Sequence, residues 1–198
     1  MFSALKRCVD LTLSVITLII LSAALMILCA IIKIDSPGPV LFKQKRIGKD
    51  KKEFHILKFR TMKIDAPKEM PTHLLDNPNS YITKVGKFLR RTSLDELPQL
   101  VNILKGEMSF IGPRPALWNQ VDLIEERDKY SANDILPGLT GLAQISGRDE
   151  LPIAVKAKLD GEYAKKMSPS LDMNIFVKTV FSVLKSDGVQ EGKNDTKL

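Results

Sequence analysis

The chain has 198 residues, of which 44% are hydrophobic and 27% charged, and a formal net charge of +7. This composition excludes global disorder and fits one domain with a core of ordinary size. The basic excess points to anionic partners, whether nucleic acid, anionic lipid or phosphorylated small molecules, and charge alone selects none of these. Cys8, Cys29, His55 and His73 are too few and too scattered for a disulfide framework, a zinc site or a histidine-based triad. There is no Walker loop and no dinucleotide fingerprint.

Leu11 to Ile32 is a run of 22 residues without a charged side chain. As a helix it would be about 33 Å long, enough to cross the apolar core of a bilayer. Residues 1–34 therefore read as a membrane segment. A cleaved signal peptide does not suit so long a run, nor the Ile27-Leu28 that precedes Cys29. Lys6 and Arg7 lie before the run, and Lys33, Lys43, Lys45, Arg46, Lys49, Lys51 and Lys52 after it. Positive flanks face the cytoplasm, so both ends are expected on that side. A re-entrant helix meets this condition if it breaks in the middle, and Ser22 is the expected break, because its hydroxyl can bond the carbonyl one turn earlier.

Residues 35–189 read as a catalytic domain and 190–198 as a polar, disordered tail. Ser36-Pro37-Gly38-Pro39 predicts a turn, Val40-Leu41-Phe42 a short strand, and Phe54 to Arg60 a partner strand beyond Gly48. Lys58 and Arg60 share one face of that strand. Residues 64–80, with Pro67, Pro71 and Pro78, predict a surface loop able to act as a lid. A helical pattern starts with Val85, Phe88 and Leu89, resumes from Leu100 to Leu104, and stops at Gly106.

Between these two helical stretches, Asp95 and Glu96 form an adjacent acid pair just behind Arg90 and Arg91. One reading is structural: Ser93 and Glu96 have the spacing of a capping box. The other is chemical. A carboxylate can attack phosphorus or hold a magnesium ion, while arginines clamp the remaining phosphate charge. Pro98 favours a helix that begins at the proline, which leaves both acids ahead of it and free to face a ligand.

Arg114 lies between Pro113 and Pro115, whose rings stiffen the backbone, and suits a phosphate contact as well as a surface turn. Leu117, Val121 and Ile124 mark one face of a structural helix. Pro137 to Gly147, followed by Arg148, is glycine-rich, so its backbone amides can approach an anion. Asn174 to Lys185 is an apolar helix that suits either the core or a membrane interface.

Four segments bear on one another: Lys58-Phe59-Arg60-Thr61-Met62, Ser93 to Leu100, Gly106 to Pro115, and Pro137-Gly138-Leu139-Thr140-Gly141. Together they resemble the bacterial sugar transferase family, and more narrowly its small monotopic phosphoglycosyl transferases, from about residue 3 to residue 189. The resemblance implies an α+β, mainly helical fold: a re-entrant N-terminal membrane helix, a small β-hairpin and interfacial amphipathic helices around the acid pair. It implies transfer of a phosphosugar from a UDP-sugar to undecaprenyl phosphate with release of UMP, at the cytoplasmic face of the bacterial inner membrane. An N-acetylated hexosamine or a derivative is the sugar it suggests. Partners would be these two substrates and bacterial membrane lipids, without nucleic acid. By resemblance Asp95 is the nucleophile, Glu96 a magnesium ligand, and Arg114 a substrate contact, with Arg90, Arg148, Lys58 and Arg60 as further candidates. One departure stands out: the family breaks its membrane helix at Ser-Pro, whereas this chain has Ser22-Ala23.

Two other readings compete. A membrane-anchored module could bind nucleic acid or anionic lipid through the basic segment 43–52, but only Phe42 and Phe54 offer aromatic rings beside those cations. A polymer-assembly scaffold without activity would leave Asp95 and Glu96 replaceable.

Overall fold

A computed structural model describes residues 2–67, 80–147 and 151–185. The 190–198 tail, Arg148 and most of the loop expected over 64–80 lie outside the described residues. The order of elements is α1 (Phe2–Asp35), β1 (Leu41–Ile47), β2 (Glu53–Phe59), α2 (Lys84–Arg91), α3 (Gln99–Lys105), β3 (Ser109–Ile111), β4 (Ala116–Leu117), α4 (Val121–Asp128), β5 (Gly138–Thr140), α5 (Leu142–Ser146), α6 (Ile153–Lys166) and α7 (Pro169–Lys185). The fold is α+β and mainly helical.

Helix α1 is long and apolar enough to cross a membrane, with a mean hydropathy of 3.0 over its most apolar stretch. It runs without interruption through Ser22, so the expected break is absent. The Ser22 hydroxyl does donate to the Ile19 carbonyl at 2.8 Å. Such a bond leaves the main-chain ladder in place, whereas a proline would have removed one of its donors.

Both ends of α1 are fastened to the same body. Near its start, Lys6 pairs with Asp172 of α7 at 2.6 Å, and the Asp10 carboxylate accepts from the Phe110 backbone N–H at 3.2 Å. Near its end, Ile32 is buried with Phe59 and Leu89, and the Asp35 carboxylate accepts from the Val85 N–H at 3.2 Å. Leu18, between them, packs on the cluster formed by Phe54, Ile56, Leu100, Ile103 and Met108. The opposite stripe, including Val9, Leu13, Ile16, Ile20, Ile27 and Ile34, is exposed.

The hairpin is longer than the turn signals suggest, since β1 continues through its lysines. β1 and β2 pair antiparallel from Leu41↔Phe59 to Ile47↔Glu53. β4 joins the other edge of β1, giving the order β2-β1-β4, while β3 and β5 form a separate parallel pair. The glycine-rich stretch has a packing role. A Cβ on Gly138 would lie 2.1 Å from the Gly112 nitrogen, so the β3–β5 crossing requires bare backbone there. Helices α4 and α6 are joined by a buried ion pair, Arg127 to Asp160, at 2.5 and 2.8 Å. Helix α6 was not foreseen. Helix α7 starts at Pro169, earlier than expected; it buries Ile175 and exposes Met173, Phe176, Val180, Phe181 and Leu184.

Candidate active site

The acid pair sits on a backbone reversal. Helix α2 begins at Thr83, whose hydroxyl accepts from the Gly86 N–H at 2.9 Å, and ends at Thr92, whose hydroxyl donates back to the Phe88 carbonyl at 2.9 Å. Ser93 then adopts a left-handed conformation with φ 55° and makes no side-chain cap. A left-handed residue cannot serve as the extended N-cap that a capping box needs, so that reading is corrected. A single 3-10 turn, Leu94–Glu96, follows, and α3 starts at Gln99 directly behind Pro98. The acids therefore precede the helix, as Pro98 implied.

The leucines beside the acids hold this turn down. Leu94 packs on Ile32, Phe59 and Leu89, and Leu97 touches both that cluster and the Phe54–Ile56–Leu100 cluster. Asp95 is consequently buried, at 9% exposure. Glu96 faces two cations. Lys58 Nζ of β2 donates to Glu96 Oε1 at 2.6 Å, and Arg114 Nη2 donates to the same oxygen at 3.0 Å. Neither bond uses Oε2.

The two carboxyls respond to this setting in opposite senses. Burial pushes Asp95 above the ordinary carboxylate value; Lys58 opposes the rise, the Glu96 charge adds to it, and Arg90 and Arg114 pull it back. Burial also works against a charge on Glu96, but there Lys58 and Arg114 prevail and hold the carboxyl far below the usual range. Glu96 is thus a fixed anion, and Asp95 a carboxylate whose charge is poorly solvated.

The structure brings together Asp95, Glu96, Lys58 and Arg114, and sets Arg90 near enough to act on Asp95. Arg90 is oriented by Thr61, whose hydroxyl accepts from its Nε at 2.9 Å. Thr61 was not singled out from the sequence, although it lies in the Lys58–Met62 segment. Arg60 is not brought to Glu96. It is buried, and its guanidinium donates to the carbonyls of Ser36, at 2.7 Å, and Pro37, which ties the turn after α1 to the hairpin.

Lys58 and Arg114 thus hold one fixed carboxylate next to one buried carboxylate, in a chain that begins with a long apolar helix. The family model for bacterial sugar transferases matches residues 1–186. The chain belongs to the bacterial sugar transferase family. Among its relatives, the uncharacterized sugar transferase EpsL of Bacillus subtilis is 38% identical, the match covering 97% of this chain and 93% of that protein. The UDP-glucose:undecaprenyl-phosphate glucose-1-phosphate transferase of Escherichia coli is 40% identical over 89% of this chain, but over only 39% of its own length. The UDP-galactose-lipid carrier transferase of Erwinia amylovora is 37% identical over 93% of this chain and 41% of its own. This sugar transferase thus spans nearly all of EpsL and about two fifths of those longer relatives. As a family member it is an enzyme, and the shared segment contains the acid pair.

Proposed function

We propose that this sugar transferase moves a phosphosugar from a UDP-sugar to undecaprenyl phosphate, releasing UMP, through a covalent intermediate on Asp95. The observation that carries the reading is the convergence of Lys58 and Arg114 on Glu96 Oε1 beside the buried Asp95. Those cations serve two ends: they keep Glu96 ionised, and they present positive charge where a diphosphate would arrive.

In the first step an Asp95 carboxylate oxygen attacks the phosphorus that bears the sugar. A new oxygen–phosphorus bond forms, the bond from that phosphorus to the bridging oxygen breaks, and UMP leaves with the bonding pair. In the second step a phosphate oxygen of undecaprenyl phosphate attacks the same phosphorus. The aspartyl–phosphorus bond breaks, giving the lipid diphosphate sugar and restoring the carboxylate. A covalent stage lets a soluble and a lipid substrate use one site in turn. Arg114 and Arg90 supply the charge that steadies the phosphate oxygens.

The residues also fit magnesium. Glu96 is held anionic next to Asp95, and two adjacent carboxylates are the donor set from which this hard cation is usually bound, with phosphate oxygens and water completing its shell. Glu96 would be its ligand, and the ion when bound supplies charge neutralisation on the diphosphate.

The proposed setting is the cytoplasmic face of the inner membrane, with both ends of the unbroken helix α1 on the side of the domain and its exposed apolar stripe turned to lipid. The fastening of both ends of α1 to one body supports this, since a straight span would carry one end to the far side. For the sugar, the family resemblance suggests an N-acetylated hexosamine or a derivative, whereas the relatives named above act on UDP-glucose and UDP-galactose. A panel of UDP-sugars of both kinds, incubated with membranes or detergent-purified protein and undecaprenyl phosphate, tests the reading. Continued UMP release, beyond one equivalent per enzyme, that requires the lipid phosphate and favours one sugar is expected. No release from any UDP-sugar would refute the reaction, and release favouring glucose or galactose would refute the acetylated sugar alone.

A further inference from the structure

The hairpin delivers Lys58 to Glu96, and it also governs Arg114. Directly paired residues of an antiparallel ladder share a face, so Phe42↔Lys58, Gln44↔Ile56 and Arg46↔Phe54 place Gln44, Arg46 and Lys58 on one side of the sheet. Buried Phe54 and Ile56 mark that side as the one turned to the core. Arg46 Nη1 donates to the Pro115 carbonyl at 2.9 Å, while its Nε and Nη2 both donate to Gln44 Oε1, at 3.1 and 2.6 Å. The backbone of Arg46 pairs with Leu117 of β4, two residues further on. The chain that leaves Arg114 is therefore held by Arg46 through its main chain and its side chain together. The Arg114 side chain is 41% exposed, so burial does not aim it. Its reach to Glu96 depends on where the Pro113–Pro115 turn is pinned.

We propose that Arg46, oriented by Gln44, is a positioning residue for catalysis: it fixes the turn that carries Arg114 and so sets that guanidinium on Glu96 and the incoming diphosphate. This rests on the proposed role of Arg114 in the reaction. A guanidinium can grip the Gln44 oxygen with one edge and the Pro115 carbonyl with another, whereas the single ammonium of a lysine cannot hold both in one fixed geometry. Arg46→Lys is thus expected to fail in the same sense as Arg46→Ala, with charge and stem kept.

The test is a double-mutant cycle in the full-length protein, reading kcat and KM for the UDP-sugar, with thermal unfolding as a check on folding. Arg46→Ala and Arg46→Lys are expected to lower kcat/KM on the order of tenfold, and Gln44→Leu by less. In an Arg114→Ala background, Arg46→Lys should add less than about twofold, because its effect passes through the missing side chain. A full tenfold loss that persists without Arg114 would overturn the proposal while leaving Arg114 in the site. Single variants within about twofold of the parent would overturn it as well. An Arg114→Ala variant with parental kinetics would instead remove Arg114 from the reaction, and the positioning role would fall with it.

Discussion

Arg7 Nη1, in the second turn of the apolar helix α1, donates to the carbonyl of Ile103 at the far end of α3 at 2.7 Å, and its Nη2 donates to the Leu104 carbonyl at 3.1 Å. Helix α3 begins three residues after Glu96, so the apolar helix α1 caps the C-terminus of the helix that follows the acid pair. A cation there bonds carbonyls of the last turn, that of Ile103 also accepting from the Gly106 N–H, and opposes the negative end of the helix dipole. Arg7→Met should cost about 1–2 kcal/mol of stability, seen as a lower unfolding temperature in one detergent. Lost activity without lost stability would show that Arg7 does not act through this cap.

The acid pair predicts an asymmetric response to pH. In the proposed reaction Asp95 must be ionised to attack, and burial raises its pKa above the ordinary 3.8, so the acid limb of kcat/KM should sit above that value. A raised carboxyl contributes stability that is complete below its unfolded pKa and is lost as pH rises through the folded one. At neutral pH Asp95→Asn should therefore be inactive yet at least as stable as the parent. Glu96 behaves oppositely: its contribution is present above the ordinary 4.5 and is lost as pH falls through its depressed folded value. Asp95→Asn unfolding several degrees below the parent at pH 7 would contradict this.

Ser93 holds φ 55° at the reversal between α2 and the acid turn. An L-residue pays about 1–2 kcal/mol in that region, and glycine does not, though its freer unfolded chain takes back about 0.5–1 kcal/mol. Ser93→Gly should be neutral to slightly stabilising with activity kept, and Ser93→Val should be clearly destabilising. Thermal unfolding and UMP release of the two variants check both halves of the statement.

What could be read in advance follows from the kind of signal each residue carries. Pro98 and Gly106 bound α3 because their backbone limits act locally, and the acid pair with Lys58 and Arg114 is legible as chemistry in short motifs. Ser93 misleads, since Ser-x-x-Glu is a capping pattern and nothing in it reports that the chain must reverse first. Arg46 is hidden in a lysine-rich stretch, where an arginine reads as solvated charge, and only the register reveals its reach to Pro115. Helix α6 escapes because its inner face mixes residue types, with Ala157, Asp160, Gly161 and Tyr163 all buried, so it shows no apolar stripe; Gly161 packs under Tyr130. The burial of Asp95, which raises its pKa, comes from leucines gathered by distant elements and has no local trace.

The proposed covalent role of Asp95 is tested most directly by the intermediate itself. The purified protein, given its UDP-sugar without lipid acceptor, should yield a peptide containing Asp95 that is heavier by one phosphosugar, with UMP released in equal amount. Asp95→Asn should yield no such peptide and lose on the order of 10³-fold in turnover, about 4 kcal/mol of transition-state stabilisation. An unmodified Asp95 peptide, together with kinetics that require both substrates bound before UMP leaves, would contradict it.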